Sequence, residues 1–182
     1  IHTTCRRQRQ MCIRDRELGD LEAAIKHYQR ATKINAGFAG IANNMGSTYE
    51  RMGQIDLAID TYSLGLELRQ DDALLYNNRG ILFHKKKNYN QAINDFNAAI
   101  KFNDGLADAF NNLGSSYREI GENDKALENY KRAIELNVNF PDAHNNVGVV
   151  LKRQGNTDAA LRHFNIAIKY NSGFSDAYNN LA

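Results

Sequence analysis

Five short blocks, Asn43-Asn44-Met45-Gly46, Asn77-Asn78-Arg79-Gly80, Asn111-Asn112-Leu113-Gly114, Asn145-Asn146-Val147-Gly148 and Asn179-Asn180-Leu181-Ala182, recur at a spacing of 34 residues without slippage. A strict period of this length is the signature of a stacked helical repeat and not of a globular enzyme. With Ala39, Ala73, Ala107 and Pro141 taken as position 1, the other positions fall into register. Position 20 is Ala24, Ala58, Ala92, Ala126 and Ala160; position 24 is Tyr28, Tyr62, Phe96, Tyr130 and Phe164; position 27 is Ala31, Gly65, Ala99, Ala133 and Ala167. Position 8 reads Gly46, Gly80, Gly114 and Gly148, and position 11 reads Tyr49, Phe83, Tyr117 and Leu151. Small residues alternating with large ones predict that two helices cross tightly within each repeat.

Within a period the apolar residues fall three and four apart, as in Ala126, Leu127, Tyr130, Ala133, Ile134 and Leu136, which fits a helical stripe and not strand alternation. Each repeat therefore reads as helix, turn, helix. The turn carries Gly19, Gly53, Gly121 and Gly155, with Lys87-Asn88 standing in once, because glycine and asparagine tolerate the left-handed conformation that ends a helix. Asp56, Asn90, Asp124 and Asp158 are expected to open the second helix by satisfying its free amides. Asn35, Asn103, Asn137 and Asn171, beside Gly37, Gly105 and Gly173, are expected to close it. The links that follow are too short to be flexible domain boundaries.

These positions resemble the tetratricopeptide repeat, whose pattern is aromatic at 4, Leu-Gly at 7 and 8, Tyr at 11, Ala at 20, aromatic at 24, Ala at 27 and Pro at 32. The resemblance implies an all-α fold, a right-handed superhelical solenoid of stacked antiparallel helix pairs. Complete copies span residues 39–72, 73–106, 107–140 and 141–174, a partial copy spans 17–38, and 175–182 begin a further one, giving one continuous domain over 17–182. The proline position departs from the pattern throughout, holding Ala36, Gln70, Asp104, Val138 and Ser172. Arg79 fills a usually apolar position, where a long stem is expected to pack flat with its guanidinium in solvent.

Residues 1–16 fit no position of the repeat, and Met11-Cys12-Ile13-Arg14-Asp15-Arg16 resembles translated sequencing adaptor, so this stretch is set apart as non-native. It also carries the charge. Residues 1–16 hold five Arg against one Asp, and the remainder 18 basic against 20 acidic residues, so the repeat body stands at −2 while the full chain stands at +2. A body near neutrality gives no case for nucleic acid or a membrane surface. Lys85-Lys86-Lys87 reads as a solvated helix end. No apolar run approaches a membrane span and no secretory signal is evident. Both cysteines, Cys5 and Cys12, lie in the atypical stretch, so the cytoplasm is expected by default. The abrupt stop at Ala182, midway through a first helix, reads as a fragment with an apolar face near Tyr178 and Leu181, through which uncapped ends would self-associate.

Catalytic and metal constellations are missing where they would be sought. His2, His27, His84, His144 and His163 show no metal-ligand spacing, no Cys-x-x-Cys occurs and no glycine-rich phosphate loop follows a strand. His144 falls at aromatic position 4, where packing is expected. The chain therefore reads as non-catalytic, with no cofactor.

What remains is a surface. Positions 2, 5, 9 and 12 of the first helix share a face by the three-and-four rule, and in tetratricopeptide proteins that face lines a concave groove. Stacking turns positions into rows: Asn43, Asn77, Asn111, Asn145 and Asn179 at position 5, and Asn44, Asn78, Asn112, Asn146 and Asn180 at position 6. An amide offers donors and an acceptor, so such a ladder suits the backbone of an extended protein or peptide ligand. Alternatively, position 6, often asparagine in the family, bonds neighbouring backbone and fixes the stacking; position 5 is then the better candidate for ligand contact. Farther along run Glu50, His84, Arg118 and Lys152 at position 12, a mostly basic edge suited to a carboxylate. Asp108, Asp142 and Asp176 are expected to complement helix dipoles. Position 5 holds no lysine, which disfavours a chaperone-tail carboxylate clamp. The segments Phe140–Gly148, Phe174–Ala182 and Ile55–Tyr62 are similar to the repeat arm of O-linked N-acetylglucosamine transferases. That likeness implies substrate polypeptides on the position-6 ladder and a glycosyltransferase domain elsewhere.

Overall fold

The computed structural model describes residues 20–34 and 38–181. Residues 1–19, the turn at Gly19, Asn35 and Gly37, and Ala182 lie outside the described residues. Among the described residues ten helices follow one another: α1 (Leu21–Ile34), α2 (Phe38–Arg51), α3 (Ile55–Leu68), α4 (Ala73–Lys85), α5 (Tyr89–Phe102), α6 (Ala107–Glu119), α7 (Asn123–Leu136), α8 (Pro141–Arg153), α9 (Thr157–Tyr170) and α10 (Ser175–Leu181). The chain divides into two compact units, one ending at Leu82 and the other beginning at Phe83.

Each helix pair is locked by the same side chains. In the first unit Ala24, Tyr28, Ala58 and Tyr62 are buried with Leu75 and Leu82; in the second, Ala126 and Tyr130 are buried with Val147 and Val150. Position 8 explains the close crossing. A Cβ built on Gly114 would lie 2.8 Å from the Tyr130 ring, one on Gly148 2.5 Å from the Phe164 ring, and Gly46 meets Tyr62 in the same way. The aromatic ring at position 24 occupies the space that any side chain at position 8 would need, so glycine is fixed by packing here.

The helix ends follow the sequence with one correction. Gly53, Gly121 and Gly155 take positive φ at the turn, and Lys87 takes their place at φ 60. Second helices are capped two residues before the acids expected to do so. Asp20, Asn88 and Asn156 accept from the backbone N–H of Ala23, Gln91 and Ala159, while Gln54 and Glu122 make no side-chain cap. Asp56, Asp124 and Asp158 sit one step inside, in the first turn, where their charge meets the dipole without closing a cap bond. Asn103, Asn137 and Asn171 close their helices, each side-chain oxygen accepting from an N–H two residues on, at 3.1, 3.2 and 3.1 Å. Arg79 also departs from expectation. Its Nη1 donates to Ser63 Oγ at 3.0 Å and its guanidinium lies 5.7 Å from the Tyr76 ring, since a half-buried cation gains more from an oxygen and a ring face than from partial hydration.

Candidate functional site

The asparagine rows are joined to one another across repeats. Asn78 Nδ2 donates to Asn43 Oδ1 at 2.7 Å, Asn146 to Asn111 at 3.0 Å and Asn180 to Asn145 at 2.9 Å. Position 6 of one repeat thus donates to position 5 of the repeat before, a sequence separation of 35 residues. An amide does both jobs without a charge, because its oxygen accepts while its nitrogen donates. Within the rows Asn77 Nδ2 also faces Asn78 Oδ1 at 3.4 Å.

Burial separates the two rows. Asn77, Asn111 and Asn145 are buried, Asn43 is half-buried and Asn179 exposed; Asn44, Asn78, Asn112, Asn146 and Asn180 are all half-buried. In the three repeats beginning at Ala73, Ala107 and Pro141, position 5 is therefore more buried than position 6, which keeps an edge at the surface.

Position 12 completes the network. Arg118 Nη1 donates to Asn146 Oδ1 at 3.2 Å and Lys152 Nζ to the Asn180 carbonyl at 2.8 Å, each reaching one repeat on. Arg118 also meets Glu119 at 3.0 Å. His84 Nδ1 lies 2.9 Å from Ser116 Oγ; because that hydroxyl donates to the Asn112 carbonyl, the proton of the pair belongs on His84 Nδ1. Burial, the largest influence, lowers the His84 pKa, with Glu119 raising and Arg118 lowering it less. His84 is thus neutral at pH 7, and the positive charge of this row rests on Arg118 and Lys152. Asn146 joins two side chains: its Nδ2 donates to Asn111 Oδ1 and its Oδ1 accepts from Arg118 Nη1.

A second constellation escaped sequence reasoning. His144 Nε2 lies 3.2 Å from the Val138 carbonyl and His144 Nδ1 lies 3.1 Å from His163 Nδ1. A carbonyl only accepts, so Nε2 carries the His144 proton and His163 Nδ1 donates to the bare His144 Nδ1. Burial lowers both pKa values; for His163 the neighbouring His144, Arg162 and Lys131 lower it further. The two histidines stand 19 residues apart, a separation with no motif attached, and only the pairing of α8 with α9 brings them together. Among the described residues no group of three or more His, Cys, Asp or Glu is arranged to hold a metal ion, and no helix is long and apolar enough to cross a membrane.

Models of the TPR repeat match residues 14–53 and 114–155, and models of the tetratricopeptide repeat match 73–105 and 39–72. The chain belongs to the tetratricopeptide-repeat family, an all-α class of protein-interaction scaffold. No curated protein matches its sequence. Among solved structures it is similar to MamA, at 28% identity and a TM-score of 0.79 over 87% of this chain and 93% of that one. It also resembles YrrB, a TPR protein with an unusual peptide-binding site, at 20% identity and a TM-score of 0.75 over 93% and 88%. The Cut9–Hcn1 hetero-tetramer of the APC/C shares the fold at 22% identity and a TM-score of 0.82, over 93% of this chain and 34% of that one.

Proposed function

We propose that the first-helix faces of the repeats bind extended peptide segments of other proteins, each compact unit reading backbone through its own position-6 asparagines, Asn44 and Asn78 in the first unit and Asn112, Asn146 and Asn180 in the second. The observation that carries this reading is the orientation of Asn78, Asn146 and Asn180, each half-buried and pinned by a bond to the preceding repeat. A pinned amide loses little entropy on binding, so its remaining N–H and lone pair are offered at low cost. Donors and acceptors repeated along a face match peptide bonds with little regard for side chains, and Arg118 and Lys152 favour ligands with an acidic residue or carboxylate at that edge. Affinity near micromolar, about 8 kcal/mol, suits such a surface.

The test is a peptide-array screen on the full chain, with Asn112→Ala/Asn146→Ala and Asn111→Ala/Asn145→Ala variants in parallel and circular dichroism recorded for each. Binding to many unrelated extended sequences, weakened about tenfold in the first variant at unchanged helicity, is expected. Binding insensitive to both variants sinks the reading and leaves the ladder as inter-repeat stitching.

A second reading is a substrate-selecting arm of a larger O-GlcNAc-transferase-like enzyme, supported by the asparagine run at Asn44, Asn78, Asn112, Asn146 and Asn180. It requires a nucleotide-sugar-binding domain in the genomic reading frame beyond residue 182, and its absence there excludes this reading. Self-association through α10, where Tyr178 is 50% exposed, would show as a mass that rises with concentration in sedimentation.

A further inference from the structure

We propose that the outer face of α3 is a second docking surface, one that takes a basic amphipathic helix of another protein. Leu57, Leu64 and Leu68 are 47%, 50% and 60% exposed. At about 100° per residue they fall within roughly 40° of one another and form a stripe about 16 Å long. Ala58, Tyr62, Gly65 and Leu66 hold the buried side of the same helix, so the stripe is surplus to the core. Scattered surface leucines are ordinary, but three in line on one helix are not.

Charge selects the occupant. Asp60 and Glu67, with Asp56 at the helix start, run along one edge of the leucines, and α3 contains no Lys or Arg. The other complete second helices each carry a cation, Lys101 on α5, Lys125, Lys131 and Arg132 on α7, and Arg162 and Lys169 on α9. An apolar ridge with carboxylates along one edge and a single cation, Arg69, past its end favours a partner stripe of leucine-like residues flanked by Lys or Arg. A second copy of this chain docking the same face would set one acidic row against another, which opposes pairing.

The experiment titrates the full chain into two fluorescein-labelled 18-residue helical peptides, one patterned from Leu and Lys and the other from Leu and Glu, followed by anisotropy at low salt. The Leu-Lys peptide is expected to bind at least about tenfold more tightly than the Leu-Glu peptide. Leu57→Gln/Leu64→Gln/Leu68→Gln should weaken it about tenfold, and Asp60→Lys/Glu67→Lys should reverse the preference between the peptides. All substituted side chains are exposed, so the dichroism spectrum should not move, and the Asn112→Ala/Asn146→Ala variant should bind the Leu-Lys peptide as wild type does. Equal binding of both peptides, or Leu-Lys binding unchanged in both α3 variants, overturns the proposal. So does a wild-type dimer that the triple glutamine variant dissolves, which would make a second copy the occupant.

Discussion

At the scale of single residues, one position can carry opposite energies in different repeats. Tyr62 and Tyr130 both fill position 24 and both are fully buried, yet Tyr130 donates its hydroxyl proton to Ser115 at 3.2 Å while the Tyr62 hydroxyl has no hydrogen-bond partner. Burial raises the pKa of both phenols, and for Tyr62 the charge of Glu50 adds to it, so neither ionises near neutral pH. A buried hydroxyl without a partner costs about 1–3 kcal/mol, and a net bond contributes about 0.5–1.5 kcal/mol. Tyr62→Phe should therefore raise stability by roughly 1 kcal/mol. Tyr130→Phe should lower it by a similar amount, and urea unfolding of the two variants checks the opposite signs. Phe96 and Phe164 at the same position indicate that the repeat accepts the ring without the hydroxyl.

At the scale of helices and turns, the period predicts which residues meet and the backbone decides how easily. The turn between first and second helix needs a left-handed residue. Gly53, Gly121 and Gly155 adopt φ of 74, 85 and 79°, and Lys87 is forced to 60°. A side chain in that region costs about 1 kcal/mol because Cβ crowds the following carbonyl. Lys87→Gly should then stabilise by several tenths of a kcal/mol, less than the full strain because glycine also loosens the unfolded chain. Gly121→Ala, with nothing within 4 Å of the added methyl, should destabilise by about 1 kcal/mol through backbone conformation alone. Thermal melts showing the same sign for both variants would contradict this account.

At the scale of the whole molecule, three histidines couple stability to pH. His84, His144 and His163 each have a pKa below the ordinary value, first because of burial. The unfolded chain, with histidine pKa near 6.5, takes up protons before the folded one. Stability is therefore full above about pH 7 and falls as pH drops through 6.5 toward the folded values. A proton on His144 Nδ1 removes the nitrogen that accepts from His163, and a proton on His163 places a charge near Arg162 and Lys131. Melting temperature should fall between pH 7.5 and 5.5, and His144→Phe should flatten the fall; a profile flat in the wild type overturns the assignment.

The 34-residue period by itself determined the helix pairs, the glycines that let them cross closely and the turn residues, because those depend on contacts inside one repeat and recur from copy to copy. It also marked both asparagine rows. What it did not determine was how they are spent. The bond from Asn146 to Asn111, the reach of Arg118 to Asn146 and the meeting of His144 with His163 depend on side-chain direction and on the stacking of one helix on the next. The same stacking buried Asn77, Asn111 and Asn145 and left Asn78, Asn112 and Asn146 half-buried. The leucines of α3 were legible as residues, but their exposure was not, since an apolar residue on a helix looks the same in sequence whether the facing surface is protein or water. Covalent order fixed the local elements; only tertiary packing decided which polar groups were satisfied internally and which faces remained to bind something else.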